Sequence, residues 1–436
     1  MRTFWQLVYS SVTIPLFWVV VQLAGLVRPK VRRGIRGRRF LFVRLSRNMQ
    51  DVQPGPRVWF HASSMGEFEQ AKPIIRELKQ RHPEVRVIVS FFSPSGYEHS
   101  RRYPLADVVT YMPLDTRSGA RRFLDLLRPD VAVMIRYDIW PNHIWELHRR
   151  GIPSLIASAT MRRQTFRRLP LVRNFHRHLY NAFTMILTVS EQDRQMFDSF
   201  HLRGPHLASL GDTRFDQVIV RSADARRRNI IPAGIVEGKK VLVAGSTWPE
   251  DEQVILPALF QLLTAVPDLL TIIVPHEPTE EHLENLESEL ADNVRSIRFS
   301  ALNEYAGERV IIVDSVGILM VLYASAHLAF VGGGFRQGIH NVLEAAVYGI
   351  PVVFGPRHRN SQEPLQLVER GGAFVVNTAD ELERTLGNLL GSDAARSRSG
   401  ECAMAFVSAN TGATGRFLTY LEPLLRERHP QRPPPT

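Results

Sequence analysis

The chain has 436 residues and a formal net charge of +11. It is too long for one ordinary hydrophobic core and suits two domains of roughly 150–200 residues each. Its single cysteine, Cys402, excludes an intrachain disulfide framework and a cysteine-type zinc site, while the basic balance suits nucleic acid, an anionic membrane surface or phosphorylated substrates.

The first element is the apolar run FWQLVYSSVTIPLFWVVVQLAGLV, residues 4–27. It is long enough to span a bilayer with some tilt. Its Gln6, Ser10, Ser11, Thr13, Pro15 and Gln22 make it a poor spanning segment, and Trp5 and Trp18 are interface-seeking residues. No small-residue cleavage site follows, and cations before it are nearly absent, so it does not read as a cleaved signal peptide. RPKVRRGIRGRR (28–39) comes next, with seven cations and no acid. Cations on that flank place the main body on the cytoplasmic side and add about 1 kcal/mol each near anionic lipid. The expectation is a membrane anchor, spanning or interfacial. The alternative is a helix or hairpin of the core.

Short apolar runs then alternate with amphipathic segments. Strands are expected at 57–63, 85–93, 131–137, 153–159 and 182–190. Helices are expected at 66–82, 121–129, 142–151 and 191–200. The polar stretch 221–238, with Pro232, Gly234 and Gly238, interrupts the rhythm and reads as a linker region. Strands return at 239–246, 269–278, 308–315, 327–334 and 350–356. Helices return at 250–267, 279–292 and 340–349. Fully apolar strands alternating with helices imply parallel sheets covered on both faces. The fold expected is α/β, two doubly wound domains with a cleft between them. The boundaries expected are 1–39 for anchor and basic flank, 40–225 and 226–425 for the domains, and 426–436 for a disordered tail.

Ligands of such sheets sit beyond the carboxyl ends of strands, and most unusual residues of this chain lie there. VGGGFRQGIHNVLEAA (331–346) ends a strand in Gly332, Gly333 and Gly334 and opens a helix near His340 or Asn341. Glycines let backbone N–H groups approach phosphate, and a helix start adds its dipole. Glu344 would lie one turn inside, facing ribose hydroxyls. The plain alternative is a tight turn with no ligand. Pro275 and His276 close one strand, and Val316, Gly317 and Ile318 follow another, so both loops could edge a base. Ser246 and Thr247 either cap the next helix or bond a phosphate. Earlier in the chain, Arg136 and Asp138 sit at a strand end, and Arg214 lies in GDTRFD (211–216). Such arginines either grip a phosphate or sugar carboxylate or make surface ion pairs. The basic stretch 162–178 either meets phosphate headgroups or is a solvated helix. HASSMGEFEQAKPII (61–75) carries Ser64-Met65-Gly66-Glu67, which fits a capping box. Glu67 is then either a helix cap or a base at the mouth of a cleft. A cap bond would compete with a base, so Glu67 is expected to point into the cleft with no side-chain bond back to Ser64.

These segments, with WPN (140–142), AGST (244–247), PHEP (275–278), FVGGG followed by GIHNVLEAA, and GPRHRN (355–360), resemble in order those of the 3-deoxy-D-manno-octulosonic acid (Kdo) transferases of lipopolysaccharide assembly. The likeness runs from about Phe40 to about Leu425. It implies an inverting GT-B glycosyltransferase on the cytoplasmic face of the bacterial inner membrane, with CMP-Kdo as donor and a lipid A precursor as acceptor. It implies Glu67 as general base, with Arg214 stabilising charge. It implies CMP contacts from Pro275, His276, Val316–Ile318 and Asn341, Val342, Leu343 and Glu344. No metal or other cofactor, nucleic acid or obligate protein partner is implied. Many relatives carry E-T-E before L-W-P-N. Here Arg136-Tyr137-Asp138 keeps the second acid, shortened, and reverses the first charge. Rival readings are another GT-B enzyme using a UDP-sugar, such as a lipid-linked N-acetylglucosamine transferase or an epimerase, and a non-catalytic basic membrane scaffold.

Overall fold

The computed structural model describes residues 2–428 apart from 162–164 and 360. It divides into two compact units, residues 1–217 with 411–436 and residues 218–410.

Unit 1 holds a parallel sheet of strands β1 (Arg57–Ala62), β2 (Arg86–Phe91), β3 (Val108–Tyr111), β4 (Val131–Ile135), β5 (Ser154–Ala159), β6 (Met185–Thr188) and β7 (His206–Ser209). Their order is β3-β2-β1-β4-β5-β6-β7. Residues alternate between the two sides of a strand, and each side has its own core. Trp59, Ile88, Ala132, Met134 and Ile156 pack into one cluster. Val58, Phe60, Val87, Val133 and Leu155 pack into the other. Both faces are therefore covered, as the uninterrupted apolar runs require.

Unit 2 repeats the plan with β8 (Lys240–Thr247), β9 (Leu269–Pro275), β10 (Ser296–Arg298), β11 (Val310–Ile312), β12 (Leu328–Val331), β13 (Val352–Phe354) and β14 (Ala373–Val375). The order is β10-β11-β9-β8-β12-β13-β14, all parallel. Two Rossmann-like units of this kind make up a GT-B fold.

Four expectations change. The boundary falls at Gln217/Val218 rather than at 225/226, and helix Thr213–Arg226 runs through it without a break. The end of the chain belongs to unit 1 and not to the second domain. Helix Ala413–Arg428 buries Phe417, Leu418 and Leu421 in a unit 1 core. Asp216 fixes its start, accepting from the backbone N–H of Gly412 (2.6 Å) and Thr414 (2.7 Å) and from the Thr414 hydroxyl (2.6 Å). Residues 426–428 are the last of this helix rather than tail, and the rest of the expected tail lies outside the described residues. The helix expected at 340–349 shrinks to Leu343–Ala346.

Candidate active site

In unit 1 the strand-end loops of β1 and β4 are joined by a buried polar chain. Trp59 Nε1 donates to Ser90 Oγ (2.8 Å). Ser90 Oγ is 2.8 Å from His61 Nδ1, and His61 Nε2 is 2.8 Å from Asp138 Oδ2. A carboxylate oxygen can only accept, so the proton between His61 and Asp138 sits on Nε2 and is donated to Oδ2, and Trp140 Nε1 lies 3.0 Å from the same Nε2. Trp140 Nε1 also approaches Asp138 Oδ2, at 3.3 Å. Burial pushes the Asp138 carboxyl up, but hydrogen bonds from His61, Trp140 and Ser63 outweigh it and hold the group below the ordinary carboxylate range. Asp138 is thus a fixed anion that pins the β4 loop to β1.

Arg136 sits one residue beyond β4 with φ of +62°. A non-glycine residue costs of order 1 kcal/mol or more there. Its guanidinium lies over the Tyr137 ring, 5.6 Å from the centroid. Its Nε is buried with no hydrogen-bond partner among the described residues. A left-handed backbone and an unsatisfied cationic donor therefore meet at this one residue.

Glu67 lies in the first turn of helix Met65–Arg81. The expectation of no bond to Ser64 is wrong. The Ser64 N–H donates to Glu67 Oε2 at 3.0 Å, and the Ser64 hydroxyl contacts the same oxygen closely. Glu67 is nonetheless half-buried rather than enclosed, and Oε1 has no partner among the described residues. Oε2 caps the helix, and Oε1 stays open.

Arg214 follows β7, four strands from β1, which is roughly 19 Å at the usual spacing. The chain doubles back, however. The Thr213 hydroxyl donates to the Gln70 carbonyl (2.8 Å), one turn beyond Glu67. Arg214 itself is half-exposed and held by buried Asp212, with Nη2 2.6 Å and Nε 2.8 Å from Oδ2.

In unit 2 the ends of β11, β9, β8 and β12 are neighbours. Pro275 pairs with Thr247, and Gly245 with Val331. Ser246 (φ +55°), Pro275, His276, the Val316–Ile318 loop and the glycine turn therefore share one edge. His276 is exposed and stacks on His340, centroids 4.2 Å apart, and on Trp248, 4.7 Å. Trp248 Nε1 donates to His340 Nε2 at 2.9 Å. Arg336 lies 3.8 Å over the Trp248 ring.

The glycines have a reason other than phosphate. A Cβ on Gly332 would stand 2.2 Å from the Ser246 carbonyl oxygen, and Gly333 has φ of +86°. Fully buried Asp251 accepts from the N–H groups of Gly333 (2.7 Å), Phe335 (3.2 Å) and Trp248 (3.0 Å). Burial raises its pKa, only partly offset by those N–H groups. Two amides of the expected phosphate cradle are thus taken by the protein's own carboxylate. With only four helical residues after the turn, the expected helix-dipole contribution is also lost. Glu344 is the second helical residue rather than one turn inside, and its Oε1 accepts from Arg221 Nη1 (3.0 Å). Asn341 Oδ1 accepts from the Leu343 N–H at 3.2 Å. Val342 and Leu343 are buried, so they offer a ligand only backbone. Asp251 and Arg221 were missed. Asp251 had a signal, an acid three residues after a helix cap. Arg221 had none, because its partner lies 123 residues away. Among the described residues, no group of three or more His, Cys, Asp or Glu could hold a metal ion.

Two Rossmann-like units of seven parallel strands each define a GT-B fold. A solved structure of UDP-GlcNAc 2-epimerase from Neisseria meningitidis superposes with a TM-score of 0.61 at 14% identity, covering 84% of this chain and 99% of that one, a likeness of fold alone. A family model described as 3-deoxy-D-manno-octulosonic-acid transferase (kdotransferase) matches residues 36–217. The 3-deoxy-D-manno-octulosonic acid transferase of Haemophilus influenzae is 29% identical over 97% of this chain and 99% of its own length. That of Rickettsia typhi is 26% identical over 84% and 79%. These matches make the chain similar to Kdo transferases over most of its length and support Kdo transfer as its activity.

Proposed function

We propose that the protein transfers Kdo from CMP-Kdo to a hydroxyl of a lipid A precursor, with inversion, at the cytoplasmic face of an inner membrane. The observation that carries the mechanism is the divided Glu67 carboxylate: Oε2 fixed by Ser64, Oε1 open. As the acceptor oxygen attacks the anomeric carbon, its proton passes to Oε1. The new C–O bond forms as the bond to the CMP phosphate oxygen breaks, and CMP leaves with that electron pair. One displacement with one base inverts the centre. A phosphate leaving group needs no general acid, and the reaction as written needs no metal.

Unit 2 holds the nucleotide in this reading. Pro275, His276 and the Val316–Ile318 loop edge the base, Glu344 meets the ribose, and Ser246 and Asn341 lie nearest the phosphate. Arg214, tethered by Asp212, stabilises charge as the bond breaks. Arg136 takes an anionic group of donor or acceptor. Arg221 already occupies one oxygen of Glu344, so the ribose must share or displace it.

The test is incubation with CMP-Kdo and a tetra-acylated lipid A precursor, with products weighed by mass spectrometry. Addition of one or more Kdo masses supports the reading. Stabilisation by UDP but not CMP in a thermal shift, with no Kdo added, would transfer it to the UDP-sugar class.

A further inference from the structure

The segment 2–27 is one long helix with a π-helical turn at Tyr9–Thr13. It is long and apolar enough to cross a membrane, yet one side is attached to unit 1 along more than half its length. Trp5 meets Phe175 edge-on at 5.8 Å. Tyr9 packs on Trp145 at 5.9 Å, and its hydroxyl donates to Asp115 Oδ2 at 2.9 Å. Ser10 Oγ donates to Asn142 Oδ1 at 3.1 Å. Phe17 packs on Trp140 and Phe92, at 6.1 and 6.2 Å. Asp115 is fully buried and also accepts from the N–H groups of Asn142 and His143, so the helix is keyed to a rigid part of the domain.

The covered positions 10, 14, 17, 21 and 25 recur at helical spacing. The opposite side is open and apolar: Leu7, Val12, Leu16, Val19, Leu23 and Leu26 are 44–71% exposed. A helix in lipid needs about 20 residues to cross 30 Å of hydrocarbon. Beyond Phe17, the last aromatic contact with the sheet domain, residues 18–27 add about 15 Å of helix. That length is half of what a crossing requires.

Two neighbouring features fit the same surface. Helix Pro29–Arg38 follows at once and bears exposed Arg28, Lys30, Arg33 and Arg36 on or beside it, while Arg38 turns inward and donates to the Met112 and Phe92 carbonyls. At the other end, next to Phe175, the turn before helix Pro170–Tyr180 exposes Phe166 (67%) and Leu169 (58%), and the start of that helix exposes Leu171 (76%). Apolar side chains bordered by cations fit an anionic lipid surface.

We propose that residues 2–27 lie in the plane of one leaflet of an anionic membrane, with Phe166, Leu169 and Leu171 as a second lipid contact, instead of crossing the bilayer. This rests on the membrane attachment read above and goes beyond it in geometry. The aromatic and hydrogen-bonded side of the helix belongs to the protein, and the aliphatic side belongs to the acyl chains.

The experiment uses the full chain carrying a protease-cleavable epitope before Met1, in right-side-out and inside-out inner-membrane vesicles. The expected result is cleavage only in inside-out vesicles, where the main body is also exposed. Cleavage from the right-side-out face overturns the in-plane geometry while leaving attachment intact. A second arm measures partition of purified protein onto phosphatidylglycerol-containing vesicles. The triple variant Phe166→Ser/Leu169→Ser/Leu171→Ser is expected to bind at least about tenfold more weakly at unchanged Tm, since all three side chains are exposed. Unchanged partition removes the second contact. Wild-type protein that ignores the vesicles refutes attachment itself, and a stable dimer that hides the apolar face assigns that face to a second copy.

Discussion

Replacing Glu67 with glutamine separates the two oxygens of that side chain. Glutamine keeps an oxygen that accepts from the Ser64 N–H, so the start of helix Met65–Arg81 stays capped. The loss is the charge on one bond and the close contact with the Ser64 hydroxyl, about 0.5–1 kcal/mol. For a unit of this size that is about 1–4 °C in Tm. The amide, however, takes no proton from the acceptor hydroxyl. General base catalysis is worth about 10²–10⁴-fold, or about 2.7–5.4 kcal/mol of barrier. The assay is steady-state Kdo transfer with both substrates varied, beside thermal denaturation. The expected result is a fall in kcat and kcat/KM by the same factor of 10²–10⁴, unchanged KM for the donor, and a small Tm shift. Glu67→Ala, which removes the cap too, should be equally inactive and less stable. A Glu67→Gln enzyme within threefold of wild-type kcat refutes the reasoning and leaves Glu67 as a helix cap alone.

Three further outcomes are expected. Arg136→Ala should raise the KM of one substrate about tenfold, the worth of one charge-assisted bond; if both KM values and kcat stay put, Arg136 binds nothing. Asp251→Asn places an amide against N–H donors, so it should destabilise unit 2 by about 2–4 kcal/mol in denaturant melts and raise donor KM more than acceptor KM. On acidification, burial and the neighbouring His276 hold the His340 imidazole down at about 4, and burial holds His176 and His327 below their usual value. Such groups stay neutral in the fold while the unfolded chain takes up protons, so stability is full above about pH 6.5 and declines as pH falls towards 4. His340 alone should account for about 1–2 kcal/mol after allowance for solvent screening, read as a lower Tm at pH 4.5 than at pH 7.

The interior strands of both sheets were legible because both their faces are buried, which demands uninterrupted apolar runs such as VAVMI and LLTIIVP. The four strands not foreseen, β3, β7, β10 and β14, are the outermost strands of their sheets. They have three or four residues each, and β7 and β10 contain no fully buried residue, so their sequences carry no strong period. The same division runs through the candidate site. Which residues end strands, and therefore where Glu67, Arg136, Asp138 and His276 lie, follows from local pattern. What each polar atom faces does not. The cap on Glu67 Oε2 is local, and Ser64-Met65-Gly66-Glu67 announced it; partners distant in sequence decided that Asp251 occupies the glycine turn and that Arg221 holds Glu344. The last helix was placed by Asp216, some 200 residues earlier, and the N-terminal helix was held to the domain by Asp115 and Asn142. Hydrophobic periodicity is a property of adjacent residues and survives in the sequence. Hydrogen-bond satisfaction is a property of space, and only the folded chain brings the partners together.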